Sequence, residues 1–426
     1  MTSGKGAAEL IETLFARAGA GAGAALRLRA WDGSEAGPAD APVLAVRSPR
    51  ALQRILWRPG ELGLARAYIS GDLDVEGDLT DALRRARAVL RSPAARRTGP
   101  DRYRSALRRS GAALAAVRAA PGLALLASPG LGLLAPPPAP PACELRVRGR
   151  RHSRARDQAV IDGHYDLPAR FYQLILDPSM AYSCAYWDGA TDLAAAQRAK
   201  LDLICAKLGL GPGTTLLDMG CGWGSLTIHA ACARVSVTGV TLSREQGGFA
   251  RQRARGLGLG LDRADIRIQD YRDPLPDGSY DAIASVEMGE HVGTANYPAF
   301  CAALHRRLRP GGRLLVQQMS RASRPGGGPF IESYIAPDMD MRPVGDTVRL
   351  IEDAGFEVIG VEAMRPHYVR TIRAWLARFE QNLAAIGPIL TPEQVRVWRL
   401  YLAGGALAFE EGRMGVDQIL ARRPRR

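Results

Sequence analysis

"TTLLDMGCGWGSL", residues 214–226, is an apolar run that ends in an acid, Asp218, and then spaces Gly220, Gly222 and Gly224 at alternate positions. The chain resumes as "SLTIHAACA", an apolar stretch with helical periodicity. Strand, tight turn and helix follow from that order. Glycines in such a turn supply positive φ and let main-chain N–H groups come close to a ligand. The spacing is G-x-G-x-G, which differs from the G-x-G-x-x-G of dinucleotide sites. No Lys-Ser or Lys-Thr pair follows, which excludes a triphosphate loop.

The same alternation extends outward. "AAAQRAKLDLICAKLGL" (194–210), "REQGGFARQRARGLG" (244–258) and "YPAFCAALHRRLRP" (297–310) read as helices. "RVSVTGVTL" (234–242), "ADIRIQDY" (264–271), "YDAIASVE" (280–287) and "GGRLLVQQM" (311–319) read as strands. Strands alternating with helices predict a doubly wound parallel sheet with right-handed crossovers, whose ligands bind at the carboxyl ends of the strands. Asp218 then fits an acid that engages an ammonium group. An acid followed by this glycine turn, first in such an array, points to S-adenosylmethionine. The second strand ends in "GVTLSREQ", without the acid that commonly holds ribose hydroxyls, so Thr241 and Gln246 are expected there. The third ends in "IQDYRDPL", where Gln269 is expected at the cofactor, Asp270 is placed to accept from an adenine amino group and Tyr271 to line its face.

The 426 residues suffice for two domains. The net charge of +14 is uneven. Residues 1–160 carry 26 Lys and Arg against 14 Asp and Glu; the remainder carries 31 against 29. A basic N-terminal part suits a polyanion, and the near-neutral remainder argues against nucleic acid as substrate. The six cysteines form no CxxC pair, which points to a reducing compartment with neither disulfide framework nor metal site. "AAPGLALLASPGLGLLAPPPAPPA" (119–142) is apolar, but its prolines and glycines interrupt a spanning helix, so it reads as a linker or surface segment. The expected organisation is a basic domain over 1–95, a linker rich in Arg, Ala and Pro over 96–156, and a catalytic domain over 157–426. In the first, "APVLAVRSPRALQRILWRPG" reads as strand then helix, and "ELGLARAYISGDLDVEGDLTDALRRARAVL" as helix, turn, helix. The tail holds a strand-like "FEVIGVEAM" and helices over 369–386 and 392–412.

These motifs resemble the cyclopropane fatty acid synthases and mycolic acid methyltransferases over roughly residues 155–426. "HYDLPARFYQLILDPSMAYSCAYW" (164–187), "LLDMGCGWG", "GVTLSREQ" and "EHVG" (290–293) carry the likeness, and "GLARAYISGDLDVEGDL" is similar to the appended domain of the longer, phospholipid-acting members. The resemblance implies an α/β protein: a Rossmann-like class I S-adenosylmethionine methyltransferase sheet, a lipid-binding C-terminal cap and a small N-terminal α/β domain. It implies methyl transfer from S-adenosylmethionine to the cis double bond of an acyl chain, with Tyr182 and Ser183 at the cofactor and a bicarbonate base held by Cys184, Glu290 and Tyr368. His291 reads as structural.

Three positions depart from the synthases. Glu287 stands where they carry glycine, Gln317 where they carry the histidine that binds bicarbonate, and Gly405 where they carry a cysteine. The departures cluster at the base, so methyl transfer is expected to survive while the fate of the cation changes. That pattern is similar to the relatives that make 10-methylene-stearoyl chains for tuberculostearic acid, whose product a flavin- and NADPH-dependent reductase saturates. An ordinary cyclopropane synthase is the alternative. An alkene needs no base to attack a sulfonium methyl, but the cation it leaves must be shielded from water and lose one proton. The reactive bond lies ~10 Å or more below the headgroups. Drawing about nine or ten methylenes through water costs roughly 7–8 kcal/mol at about 0.8 each, so an apolar tunnel is expected, roofed by the C-terminal segment. The basic N-terminal part is expected to dock on the anionic inner face of the cell membrane from the cytoplasm, or to set the geometry of a homodimer.

Overall fold

The structure is a computed structural model that describes residues 6–17, 26–58, 60–91, 138–165, 167–322 and 326–425. Most of the expected linker, including residues 119–137 of the apolar stretch, lies outside the described residues. Among the described residues no helix is long and apolar enough to cross a membrane.

The chain divides into two units, residues 1–144 with 391–404, and residues 145–390 with 405–426. The first holds a four-stranded sheet: β1 (Arg27–Ala30), β2 (Glu35–Ala36), β3 (Val43–Val46) and β4 (Leu73–Glu76), in the order β2-β1-β3-β4. Ile11, Leu28, Val46, Leu52 and Leu73 meet in its core. The expected Gly/Asp-rich turn therefore contains a strand, because Leu73 is buried in the core and "LDVE" pairs along its length with β3. The sequence reading ran the catalytic domain unbroken to residue 426. Residues 391–404 instead cluster with the first unit, where Arg396 pairs with Asp74 and donates to the Tyr68 carbonyl.

The second unit is built on seven strands: β5 (Thr215–Met219), β6 (Ser236–Thr241), β7 (Ala264–Ile268), β8 (Tyr280–Val286), β9 (Leu308–Ser320), β10 (Glu357–Ala363) and β11 (Gly415–Arg422), in the order β10-β11-β9-β8-β5-β6-β7. The five strands of the alternating stretch, β5 to β9, are parallel, the strand-like tail segment is β10, and β11 is antiparallel between β9 and β10. Chain order reverses direction at β5, flanked by β6 and β8. In such sheets the crevice for a ligand opens at that point. Leu216, Leu217, Ile283, Leu314 and Leu315 are wholly buried between the helical layers, as expected for strands covered on both faces.

Candidate active site

The glycine turn leaves β5 at Met219 and enters the helix Ser225–Cys232. All three of its glycines hold positive φ, at 88°, 51° and 79°. At Gly220 a Cβ would lie 2.7 Å from the Met288 side chain, and at Gly224 2.8 Å from the Ala250 Cβ, so neighbouring elements close on the turn itself. Beside it is a cavity of about 160 Å³. Its wall includes Asp218, Gly220 and Gly222 from the turn, Thr241 and Gln246 from the second strand end, Gln269 and Tyr271 from the third, Tyr182 and Ser183, and Glu287. Burial pushes the Asp218 carboxyl up to about 6, although Thr227 donates to it at 2.7 Å and Lys200 lies near. An acid at a strand end, a positive-φ glycine turn and polar groups at the next two strand ends fit S-adenosylmethionine.

Asp270 departs from its expected place. Its side chain is not on the cavity wall, because the guanidinium of Arg272 takes both its oxygens and also reaches Asp157 at 2.9 Å. The wall also contains groups that sequence reasoning passed over: Met180, Trp223, Met288 and Lys200, with His291, which was read as structural. Burial drives His291 down to about 4, so it is neutral. Lys200 is 1% exposed and donates to Ser183 Oγ at 2.9 Å. It falls on the buried stripe of the helix Leu193–Leu208, with Leu193, Ala196, Gln197 and Ile204. A charge on an apolar helical face was the signal that could have singled it out.

Glu287 follows β8 directly and has φ of 50°, a left-handed conformation that costs a non-glycine residue about 1–2 kcal/mol. Its carboxylate accepts three hydrogen bonds: from the Cys184 main-chain N–H at 2.7 Å, from Gln317 Nε2 at 2.9 Å and from the Tyr368 hydroxyl at 2.6 Å. The Glu287 N–H donates to the Gln317 carbonyl at 2.7 Å, which pins the bend to β9. Cys184 thus contributes its main chain, while its thiol turns to the Ala185 carbonyl at 3.3 Å. Gly405 sits against Ile372, with no Cβ contact closer than 3.7 Å.

Glu290 behaves differently from its expected role. It is wholly buried, lies off the cavity wall, and neither carboxylate oxygen has a hydrogen-bond partner among the described residues. Burial, reinforced by the charge of Glu287, raises its proton affinity well above the ordinary glutamate range. Burial also raises Glu287, but its three donors and Lys200 oppose that. The two are therefore unequal, with Glu290 holding a proton more firmly than Glu287.

Comparison with known proteins agrees with this geometry. The chain is 35% identical over 409 residues to a probable fatty acid methyltransferase of Pseudomonas putida, covering 94% of this chain and 92% of the relative. It is 30% identical over 423 residues to the tuberculostearic acid methyltransferase UfaA1 of Mycobacterium tuberculosis, covering 92% and 86%. The crystal structure of the mycolic acid cyclopropane synthase CmaA1 complexed with SAH and CTAB superposes with a TM-score of 0.58 at 30% identity, covering 62% of this chain and 98% of that one. Residues 152–419 match the mycolic acid cyclopropane synthetase family. The chain belongs to that family, and it is an enzyme that uses S-adenosylmethionine to modify fatty acyl chains.

Proposed function

We propose that this enzyme methylates the cis double bond of oleoyl chains in phospholipid and releases a 10-methylene-stearoyl product. The observation that carries the reading is the Glu287 carboxylate. It accepts from the Cys184 main chain and from Tyr368, two of the groups that resemblance assigns to a bicarbonate base, and from Gln317, which replaces a third. The protein carries its own carboxylate there and needs no bicarbonate.

S-adenosylmethionine, when bound, supplies an electrophilic methyl group. Asp218, Gly220, Gly222, Thr241, Gln246, Gln269, Tyr271, Tyr182 and Ser183 would hold it. The π pair of the double bond would take that methyl at C10 as the sulfur–methyl bond breaks and its electron pair stays on sulfur as S-adenosylhomocysteine, which leaves the acyl chain cationic at C9. A hydride shift from C10 to C9 moves the cation to the methyl-bearing carbon. Glu287 then takes a proton from the new methyl, and the C–H electron pair becomes the exocyclic double bond. A charged, fixed carboxylate stabilises the cation and accepts the proton without reorganising. Ring closure removes a proton from the same methyl but before the shift, so the position and timing of the base separate the two products. Tyr368 orients Glu287, and Glu290 stays protonated beside it.

Leu56 and Trp57, 39% and 53% exposed, stand beside Arg58 in the basic first unit. Apolar side chains flanked by arginine support docking on an anionic bilayer, from which the acyl chain is drawn. The likeness to the tuberculostearic acid methyltransferase supports the product, and a reductase supplying hydride is the class of enzyme that consumes it.

The test is incubation of the full-length protein with oleoyl phospholipid vesicles and S-adenosylmethionine. Ring and methylene products are isomers, so proton NMR of the vinylidene hydrogens decides between them. A product containing only cyclopropane overturns the proposal.

A further inference from the structure

We infer that Lys207, two side chains removed from Glu287, is a positioning residue for the reaction: through Gln418 and Gln317 it fixes the direction of two amides and keeps a donor on the Glu287 carboxylate. The inference rests on Glu287 as the base proposed above.

Lys207 lies in the last turn of the helix Leu193–Leu208. Its Nζ donates to Gln418 Oε1 at 2.6 Å and pairs with Glu362. Gln418 Nε2 donates to Gln317 Oε1 at 2.9 Å, and Gln317 Nε2 donates to Glu287 Oε1 at 2.9 Å and to the Cys184 carbonyl at 3.3 Å. The sheet makes this alignment possible. Gln317 of β9 and Gln418 of β11 are directly opposed in register, so their side chains share a face.

The two ends of this row dictate its polarity. An ammonium only donates, so Gln418 must turn its oxygen to Lys207. Its amino group then faces Gln317, whose oxygen must accept and whose amino group must face Glu287. An ionised carboxylate only accepts, so the far end demands the same direction. Each amide has one orientation that satisfies every atom. Both glutamines are almost wholly buried, at 0% and 1% exposed, where water cannot repair a reversed amide. The Lys207 side chain is 19% exposed, so the anchor lies toward solvent while its effect is felt inside.

Lys200, Tyr368, Glu290 and the Cys184 thiol act on Glu287 directly. Lys207, with Glu362 beside it, acts at a distance through the amides. Without Lys207 the direction is set from the carboxylate end alone, and the reversed row becomes accessible. A reversed Gln317 sets its oxygen against the carboxylate and favours the protonated, inactive base.

The experiment measures kcat against pH for the full-length enzyme with oleoyl phosphatidylglycerol vesicles and S-adenosylmethionine. Lys207→Met is expected to move the acid limb upward by about one pH unit, with an about tenfold loss on that limb and an unchanged KM for the cofactor. Lys207→Arg, which also only donates, restores the limb. Gln418→Glu accepts from Lys207 but offers Gln317 no donor, so it reproduces the shift even where Lys207→Met fails to fold. In a Glu287→Gln background Lys207→Met adds nothing. A wild-type limb in folded Lys207→Met and Gln418→Glu, alongside lost turnover in Glu287→Gln, overturns the relay and leaves the base standing. A shift that Lys207→Arg does not restore also overturns it. Wild-type turnover in Glu287→Gln overturns the base and the relay together.

Discussion

Replacing Glu287 with glycine tests the carboxylate as base and as substitute for bicarbonate in one variant. The change removes the acceptor of three hydrogen bonds, at 2.7, 2.9 and 2.6 Å, and exposes the Cys184 N–H, Gln317 Nε2 and the Tyr368 hydroxyl to a common space. Each bond to a charged acceptor is worth about 1.5–3 kcal/mol. Against that loss, a residue at φ of 50° recovers about 1–2 kcal/mol on becoming glycine, and water can refill the donors. The fold should therefore persist, with cofactor binding changed far less than turnover. Loss of a general base lowers turnover about 10²–10⁴-fold, roughly 3–5 kcal/mol of barrier. The freed donors match a small carboxylate. In buffer purged of carbon dioxide the variant should be slow, and added bicarbonate or formate should restore part of the rate, while wild type is indifferent to both. Proton NMR should show the vinylidene signal falling relative to cyclopropane in the rescued reaction, because a diffusible base is not held back until the hydride has moved. A wild-type enzyme that needs bicarbonate would refute the reasoning. So would a Glu287→Gly variant that makes methylene product at full rate in purged buffer.

Three further outcomes follow from neighbouring groups. The Asp218 carboxyl, pushed up to about 6 by burial, must be ionised to engage an ammonium, so calorimetric cofactor affinity should fall as pH drops through 6; Asp218→Asn should bind weakly with a flat profile. Gly220→Ala puts a Cβ 2.7 Å from the Met288 side chain at φ of 88°, which should cost about 1–3 kcal/mol in denaturant unfolding and weaken cofactor binding. Glu290 has a raised folded-state proton affinity, so its contribution to stability is complete below the ordinary glutamate range and is lost as pH rises through its folded value. The wild-type melting temperature should fall over that interval more steeply than that of Glu290→Gln, and parallel slopes would show that Glu290 is not the titrating group.

The parts of this molecule that were legible are those written in contiguous residues. Apolar runs of five to seven residues that stop at Asp218, Thr241 or Val286 announce strands of a covered parallel sheet, and the glycine turn places its ligand. Strand β11 was not legible: Asp417 and Gln418 interrupt the apolar pattern of "GVDQILAR", and nothing local says that it inserts between β9 and β10. The pairing of Asp270 was not legible either, since nothing in "IQDYRDPL" says that the Arg272 guanidinium, two residues on, turns back to its carboxylate. Resemblance located the base region but gave the anion-binding part to Glu290. Only side-chain geometry shows that the donors turn to Glu287 and leave Glu290 without a hydrogen-bond partner among the described residues.

The departures at 287 and 317 make physical sense only together. A carboxylate on a left-handed bend has to be held, or its backbone strain and its desolvation are both uncompensated. The Cys184 N–H and Tyr368 supply two donors whatever stands at 317. The third must come from a neutral group whose other end is already satisfied, since a second buried charge there would itself need a partner. Gln317 meets that condition because Gln418 donates to its oxygen. A glycine at 287 opposite Gln317 would strand an amide donor over an empty anion site. A histidine at 317 opposite Glu287 would draw the proton into an ion pair and leave no free base. On the proposed reading the two substitutions form one device, in which a tethered carboxylate with a neutral amide support stands in for a diffusible base and the bend that holds Glu287 sets the product.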